Sequence, residues 1–312
     1  MKTTDMNGYL VSVPIPWRRD GSLMQSQFRE AVNTLLHQGC DGLYLFGTSG
    51  EGYAVTDAEF IQIVDIFVDA TAEFSGFRQV GCFGLSSGQV KHRCRLVSER
   101  GLQEVQITLP FWKELNNEEL LRYFADVCGS FQELSFLLYN NPRNKRRLKG
   151  KELETIHSAA PNLCGAKTGS GTWLDFFELI TESPSLVHFV TEGAFVFCFS
   201  LKKVGLIPSS NYALPRICRA YYEAVISNEL KMAYQLQREI IRFFHKTATP
   251  LLKKGYIDGA IDKAYARIGG MDMPLNMKSP YTTLSDNDFR WLESIIQSEF
   301  HDEDFIDYPD PE

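Results

Sequence analysis

Leu163-Cys164-Gly165-Ala166-Lys167-Thr168-Gly169-Ser170-Gly171 is a short apolar run that ends on a lysine and then breaks into small residues. It reads as a buried strand handing over to a loop, with the lysine at the handover. Burial disfavours the charged form of a lysine, and an amine that is free near neutral pH can attack a carbonyl and form a Schiff base. Small neighbours leave room for a substrate against the nitrogen. The plainer reading is a lysine that snorkels out of a strand end.

The pattern around this run decides between them. Short apolar, β-rich runs recur along the chain: Tyr9–Val13, Gly42–Phe46, Gln79–Phe83, Glu104–Leu109, Ser135–Tyr139, Leu163–Lys167, Leu186–Thr191 and Gly205–Ser209. Most of the intervals carry helical periodicity, as in Phe60, Ile63, Val64, Phe67 and Val68, or Leu120, Leu121, Phe124 and Val127. Thr56 with Glu59 has the spacing of a capping box, and Asn117 suits a helix start. Strands alternating with helices predict parallel βα units, and eight is the number that closes a (β/α)8 TIM barrel of the α/β class. An open doubly wound sheet fits the same periodicity. After about Pro215 the alternation stops. Ile217–Ile226, Leu230–Phe244 and Phe289–Phe300 read as amphipathic helices, with Gly269, Gly270 and Pro274 as punctuation. The expected organisation is a barrel over 1–225 and a C-terminal helical extension over 226–312, ending in the acidic tail HDEDFIDYPDPE, which is expected to fray.

Composition narrows the function. The chain has 312 residues and a formal net charge of -7, without a basic stripe, which argues against nucleic acid as a partner. No stretch approaches the roughly 20 apolar residues of a membrane span, and the start MKTTDMNGYL lacks an apolar signal core. The seven cysteines form no CxxC pair, and those at Cys82, Cys164 and Cys198 sit in contexts that suit buried reduced thiols. A cytoplasmic protein that is neither secreted nor membrane-bound is the expectation. The histidines offer no HExxH or comparable ligand cluster, and imine chemistry calls for no metal or cofactor.

In a barrel, catalytic groups belong at the C-terminal ends of strands. Four features fall there: Gly47-Thr48-Ser49-Gly50-Glu51-Gly52, Pro110-Phe111-Trp112, Tyr139-Asn140-Asn141-Pro142-Arg143, and Lys167. In order and spacing, Gly47–Glu51, Tyr139–Pro142 and Gly165–Lys167 resemble the motifs of the dihydrodipicolinate synthase / N-acetylneuraminate lyase family. The resemblance extends to Val13–Trp17 and to the helical C-terminus. It implies a class I lyase or aldolase on a (β/α)8 barrel, homotetrameric or homodimeric, in which a lysine forms a Schiff base with pyruvate or another 2-keto acid and a C–C bond to an aldehyde is made or broken. Carried over by motif, Lys167 is the nucleophile and Tyr139 the proton shuttle. Thr48 and Ser49 bind the keto-acid carboxylate and relay protons. The glycines, Gly47 among them, let backbone N–H groups converge on the anion. Ile207 lines the site through its backbone.

The departures bear on substrate. The synthases have a relaying tyrosine where this chain has Trp112, and an indole cannot relay a proton. Their substrate-gripping arginine falls at Asn144 here, with Arg143 one residue earlier. Both changes weigh against condensation of pyruvate with aspartate semialdehyde, which stays as an alternative. Of the lyases' acidic pair, Glu192 is kept and Gly193 stands for the other; Glu192 reads equally as a grip on a substrate hydroxyl or as a solvated strand-end charge, and Ser209 matches their serine. Arg143, Lys145, Arg146, Arg147, Lys149 and Lys151 form a basic cluster, read either as a solvated loop or, through Arg143 and Arg146, as an attractor for an acidic substrate. Phe111 and Trp112 suit either the apolar part of an aldehyde or a subunit contact. Two other classes compete. Gly84-Leu85-Ser86-Ser87-Gly88 fits the G-x-S-x-G of a serine hydrolase. A non-catalytic keto-acid binder on an enzyme fold is the other.

Overall fold

The computed structural model describes residues 6–300, so the acidic tail lies outside the described residues. Eight strands run in chain order around one parallel sheet. They are β1 (Leu10–Ser12), β2 (Gly42–Leu45), β3 (Phe77–Gly81), β4 (Glu104–Ile107), β5 (Ser135–Tyr139), β6 (Leu163–Thr168), β7 (Val187–Val190) and β8 (Gly205–Leu206). A parallel bridge from Tyr9 to Leu206 joins the last strand to the first. The fold is a (β/α)8 TIM barrel with a C-terminal helical part, and the open doubly wound sheet is set aside.

Helices α1 (Gln25–His37), α2 (Asp57–Ala70), α3 (Ser87–Ser98), α4 (Asn117–Gly129), α5 (Gly150–Ala159), α6 (Trp173–Glu182) and α7 (Phe195–Leu201) alternate with the strands, and α8 (Pro215–Ile226) follows β8. Local chemistry sets several starts. Thr56 and Glu59 form the anticipated capping box at α2, Asn116 with Glu119 forms another at α4, and Thr172 with Asp175 a third at α6. Each satisfies N–H groups that the first turn leaves without partners. Then come α9 (Leu230–Lys246), α10 (Ala248–Lys253), α11 (Asp258–Ile268) and α12 (Asp286–Glu299). Among the described residues no helix is long and apolar enough to cross a membrane.

Two compact units divide the chain. The first comprises Met1–Leu10, Cys40–Phe46 and Thr56–Ile207. Its core gathers Met6, Leu10, Tyr44, Phe77, Leu137, Cys164, Phe189 and Ile207, all buried. Gly165 on β6 is needed for strand approach, since a Cβ there would lie 2.3 Å from the Val187 carbonyl oxygen of β7. The second unit comprises Val11–Gly39, Gly47–Val55 and Pro208–Glu312. In it α9 buries Ala233, Leu236, Ile240 and Phe243, and the Phe243 ring lies 4.9 Å from Tyr265 and 5.2 Å from Phe300.

Candidate active site

In the first unit, Tyr139 ends β5 and pairs in register with Lys167 on β6. The ladder continues one residue further, because the Asn140 N–H donates to the Lys167 carbonyl at 2.9 Å. Lys167 is 8% exposed, so it does not snorkel into solvent. Its Nζ lies 4.4 Å from the Tyr139 ring centre and 5.1 Å from that of Tyr44 on β2. A lysine nitrogen within about 6 Å of an aromatic face is held there electrostatically when charged.

The segment after Tyr139 is locked by amides. Asn140 donates to the Leu148 carbonyl at 2.9 Å and accepts from the Leu148 N–H at 2.8 Å. Asn144 is buried, and its Nδ2 donates to the Tyr139 carbonyl at 2.6 Å. Asn144 therefore fixes the backbone of the tyrosine rather than reaching for a ligand. Arg143 is exposed on the single turn Pro142–Asn144, which the Asn141 side chain caps by accepting the Arg143 N–H at 2.8 Å.

Most of the basic cluster has structural duties. Arg146 donates to the Leu115 carbonyl at 2.7 Å and pairs with Glu152. Arg147 binds the Ser170 carbonyl and lies 3.4 Å from Asp175, and Lys151 pairs with Glu182 at 3.2 Å. The substrate-attracting role considered for Arg146 gives way to these bonds. Trp112 is 86% exposed. Ile207 is buried in the core, with its N–H donating to the Val190 carbonyl at 2.9 Å. Glu192 is 2% exposed, which rules out a solvated strand-end charge. Ser86 accepts from the Gln89 N–H at the start of α3, so the hydroxyl of the G-x-S-x-G match is a helix cap.

In the second unit, the loop bearing Gly47, Thr48 and Ser49 is organised around Glu51. Glu51 is fully buried and takes a left-handed backbone with φ 48°. Its carboxylate accepts from Trp17 Nε1 at 2.8 Å and from the Lys278 N–H at 2.7 Å, and it pairs with the fully buried Lys263. Burial pulls the Lys263 ammonium below its ordinary range, and Glu51 opposes that shift. Helix α11 presents three residues to the loop from one face, at i, i+3 and i+4. Gly259 allows close approach, since a Cβ there would lie 2.7 Å from the Thr48 carbonyl oxygen. Asp262 accepts the Ser49 hydroxyl at 2.5 Å, and Lys263 holds Glu51. A serine has one hydroxyl hydrogen, so Ser49 turns lone pairs, not its proton, to a ligand. Sequence reasoning missed Tyr44, Asp262 and Lys263. The i, i+3, i+4 spacing of the α11 residues was the available signal.

Residues 5–299 match the model of the dihydrodipicolinate synthetase family. The chain is 24% identical to a 4-hydroxy-tetrahydrodipicolinate synthase from Acidobacterium capsulatum, over 86% of this chain and 88% of that one. Among solved structures it is similar to YagE, a prophage protein of the dihydrodipicolinic acid synthase family from E. coli in complex with pyruvate. There the TM-score is 0.84 at 18% identity, over 94% of this chain and 98% of that one. The N-acetylneuraminate lyase of Mycoplasma synoviae gives a TM-score of 0.82 at 17% identity, over 96% of this chain and 100% of that one. The chain belongs to the dihydrodipicolinate synthetase family, and its chemistry is that of a carbon–carbon lyase of the class I aldolase type.

Proposed function

We propose that Lys167 forms the imine, with pyruvate or a closely related 2-keto acid, and that the chain makes or breaks a C–C bond between that acid and an aldehyde. The observation that carries this is the buried Lys167 nitrogen held 4.4 Å from the ring of its register partner Tyr139. The Lys167 amine adds to the keto carbon, a C–N bond forms, and the carbonyl oxygen leaves as water. In cleavage, the electrons of the C–C bond flow into the protonated imine to give an enamine. The hydroxyl of the departing fragment loses its proton to Tyr139 as it becomes an aldehyde, and the enamine carbon then takes up a proton. Condensation runs the same steps backwards.

Thr48 and the backbone N–H groups of the Gly47–Ser49 loop take the keto-acid carboxylate. Ser49, with its proton committed to Asp262, contributes less. Ile207 lines the site through its backbone. Trp112 packs the apolar part of an acceptor or a neighbouring subunit, and Arg143, exposed on the Pro142–Asn144 turn, is a cation that meets an acidic acceptor. The catalytic portion is the barrel through residue 225, and the described residues of the 226–312 extension are a helical addition. The seven free cysteines support a cytoplasmic setting. The assembly we favour is a homotetramer or homodimer, which sedimentation velocity tests; a monomeric dihydrodipicolinate synthase variant shares the fold.

Borohydride reduction in the presence of pyruvate tests the reading. One reduced adduct on the Lys167 peptide is expected, and an adduct of equal yield in Lys167→Ala would overturn it. A second reading, dihydrodipicolinate synthase proper, is favoured by the names of the similar proteins and is tested by a coupled assay with aspartate semialdehyde. A catalytically idle keto-acid binder would form no reducible imine.

A further inference from the structure

Tyr44 is a second aromatic neighbour of the Lys167 nitrogen, and the reaction steps above make no use of it. It comes from β2, four strands from β6, and is fully buried. Its ring centre lies 5.1 Å from Lys167 Nζ. Its phenol oxygen accepts a hydrogen bond from Gln106 Nε2 on β4, which anchors the far end of the ring. Gln106 is fully buried, and among the described residues its Oε1 has no hydrogen-bond partner. Gln79 on β3 pairs in register with Tyr44, is equally buried, and among the described residues has no hydrogen-bond partner for either amide atom. Barrel interiors are ordinarily filled by branched aliphatic residues. Burying amide groups without partners is unfavourable. A polar layer at this depth is poor packing, but Gln106 gives Tyr44 a fixed tilt beside the lysine.

We infer that Tyr44, anchored by Gln106, is a positioning residue that keeps the Lys167 imine protonated. This rests on the Schiff-base reading of Lys167. The protonated imine is the electron sink, and an imine nitrogen that loses its proton ceases to withdraw electrons. The face of an aromatic ring within about 6 Å attracts a cation and not its neutral form. Tyr139 offers a face as well, but it is also the group that moves protons. Tyr44 holds charge and transfers nothing.

The test follows hydrogen–deuterium exchange at the pyruvate methyl group by NMR, which reads the protonated imine without needing an acceptor aldehyde. The pH profile is recorded for the wild type, Tyr44→Phe, Tyr44→Leu, Gln106→Leu, and a chain with 3,4,5-trifluorophenylalanine at position 44. Fluorine withdraws charge from the ring face at nearly constant volume, so the variant separates electrostatics from packing. With Tyr44→Phe as reference, the trifluoro and leucine chains should lose the alkaline limb of exchange about 0.4 to 1.5 pH units earlier. Gln106→Leu should slow exchange, and Tyr44→Phe should share that loss. An alkaline limb in the same place for the phenylalanine, trifluoro and leucine chains, with wild type still trapped at Lys167 by borohydride, would overturn this inference alone. Absence of trapping in wild type would overturn it together with the Schiff-base reading.

Discussion

Acid should weaken this fold through the His188 ring on β7. His188 is 1% exposed and pairs in register with Ala166, the residue before Lys167. The Ser183 hydroxyl donates to the Leu179 carbonyl at 2.5 Å. Towards the ring it therefore accepts, from His188 Nε2–H at 3.0 Å. Nδ1 is left as the unprotonated nitrogen, and among the described residues it has no hydrogen-bond partner. A second proton would create a buried donor facing no acceptor. Burial is the main reason the ring titrates at about 4 instead of 6.5; the bond to the Ser183 carbonyl opposes the shift. In the unfolded chain the ring takes its proton near 6.5. Between those values the unfolded state binds more protons, so stability rises with pH across the window. The contribution is complete above the unfolded value and is lost as pH falls towards 4. Relative to high pH, the loss is about 2 kcal/mol at pH 5 and about 3 kcal/mol at pH 4. Urea unfolding at pH 8 and pH 5, in wild type and in His188→Leu, isolates the ring from the other groups that titrate. The wild type should lose about 2 kcal/mol more than the variant over that interval. Equal losses in both would refute the reasoning.

Lys263→Met should cost about 3–5 kcal/mol in urea unfolding, because it leaves the buried Glu51 carboxylate with two neutral donors and no cation. Adding Glu51→Gln should restore part of the loss, and additive losses would show that the pair is not coupled. Tyr139→Phe should keep its far-ultraviolet circular dichroism while turnover falls about two to four orders of magnitude; near-normal turnover would assign the proton to another group. With pyruvate and aspartate semialdehyde the chain should turn over well below about 10 per second, since Trp112 cannot relay a proton and Asn144 holds the Tyr139 carbonyl. Turnover at or above that rate would return it to the synthase reaction.

The barrel was legible because its strands are short apolar runs set apart by helical periodicity. β5 was bounded at Ser135 and Tyr139 in both readings, and β6 differed by one residue. The pairing of Tyr139 with Lys167 follows from two runs that end at the same height on adjacent strands. Helix α11 escaped because it is buried all round from Gly259 to Ala266, so it has no amphipathic period, and Gly259, Asp262 and Lys263 interrupt its apolar residues. Tyr44 sat inside an apolar run, where sequence does not say whether a phenol is filler or faces a lysine. Glu192 read as even between exposed and functional, since burial of a single strand-end carboxylate depends on chain remote in sequence. Sequence set Arg143 and Arg146 apart as substrate attractors, but only the fold shows that Arg146 pairs with Glu152 and Arg147 with Asp175.

The central claim is covalent, and mass spectrometry reads it directly. Wild type and Lys167→Ala are incubated with pyruvate, reduced with borohydride, and measured intact and as peptides. The account predicts one adduct on wild type, located on the peptide that contains Lys167, and none on the variant. An unmodified wild-type chain, or an adduct that survives in Lys167→Ala, would contradict it.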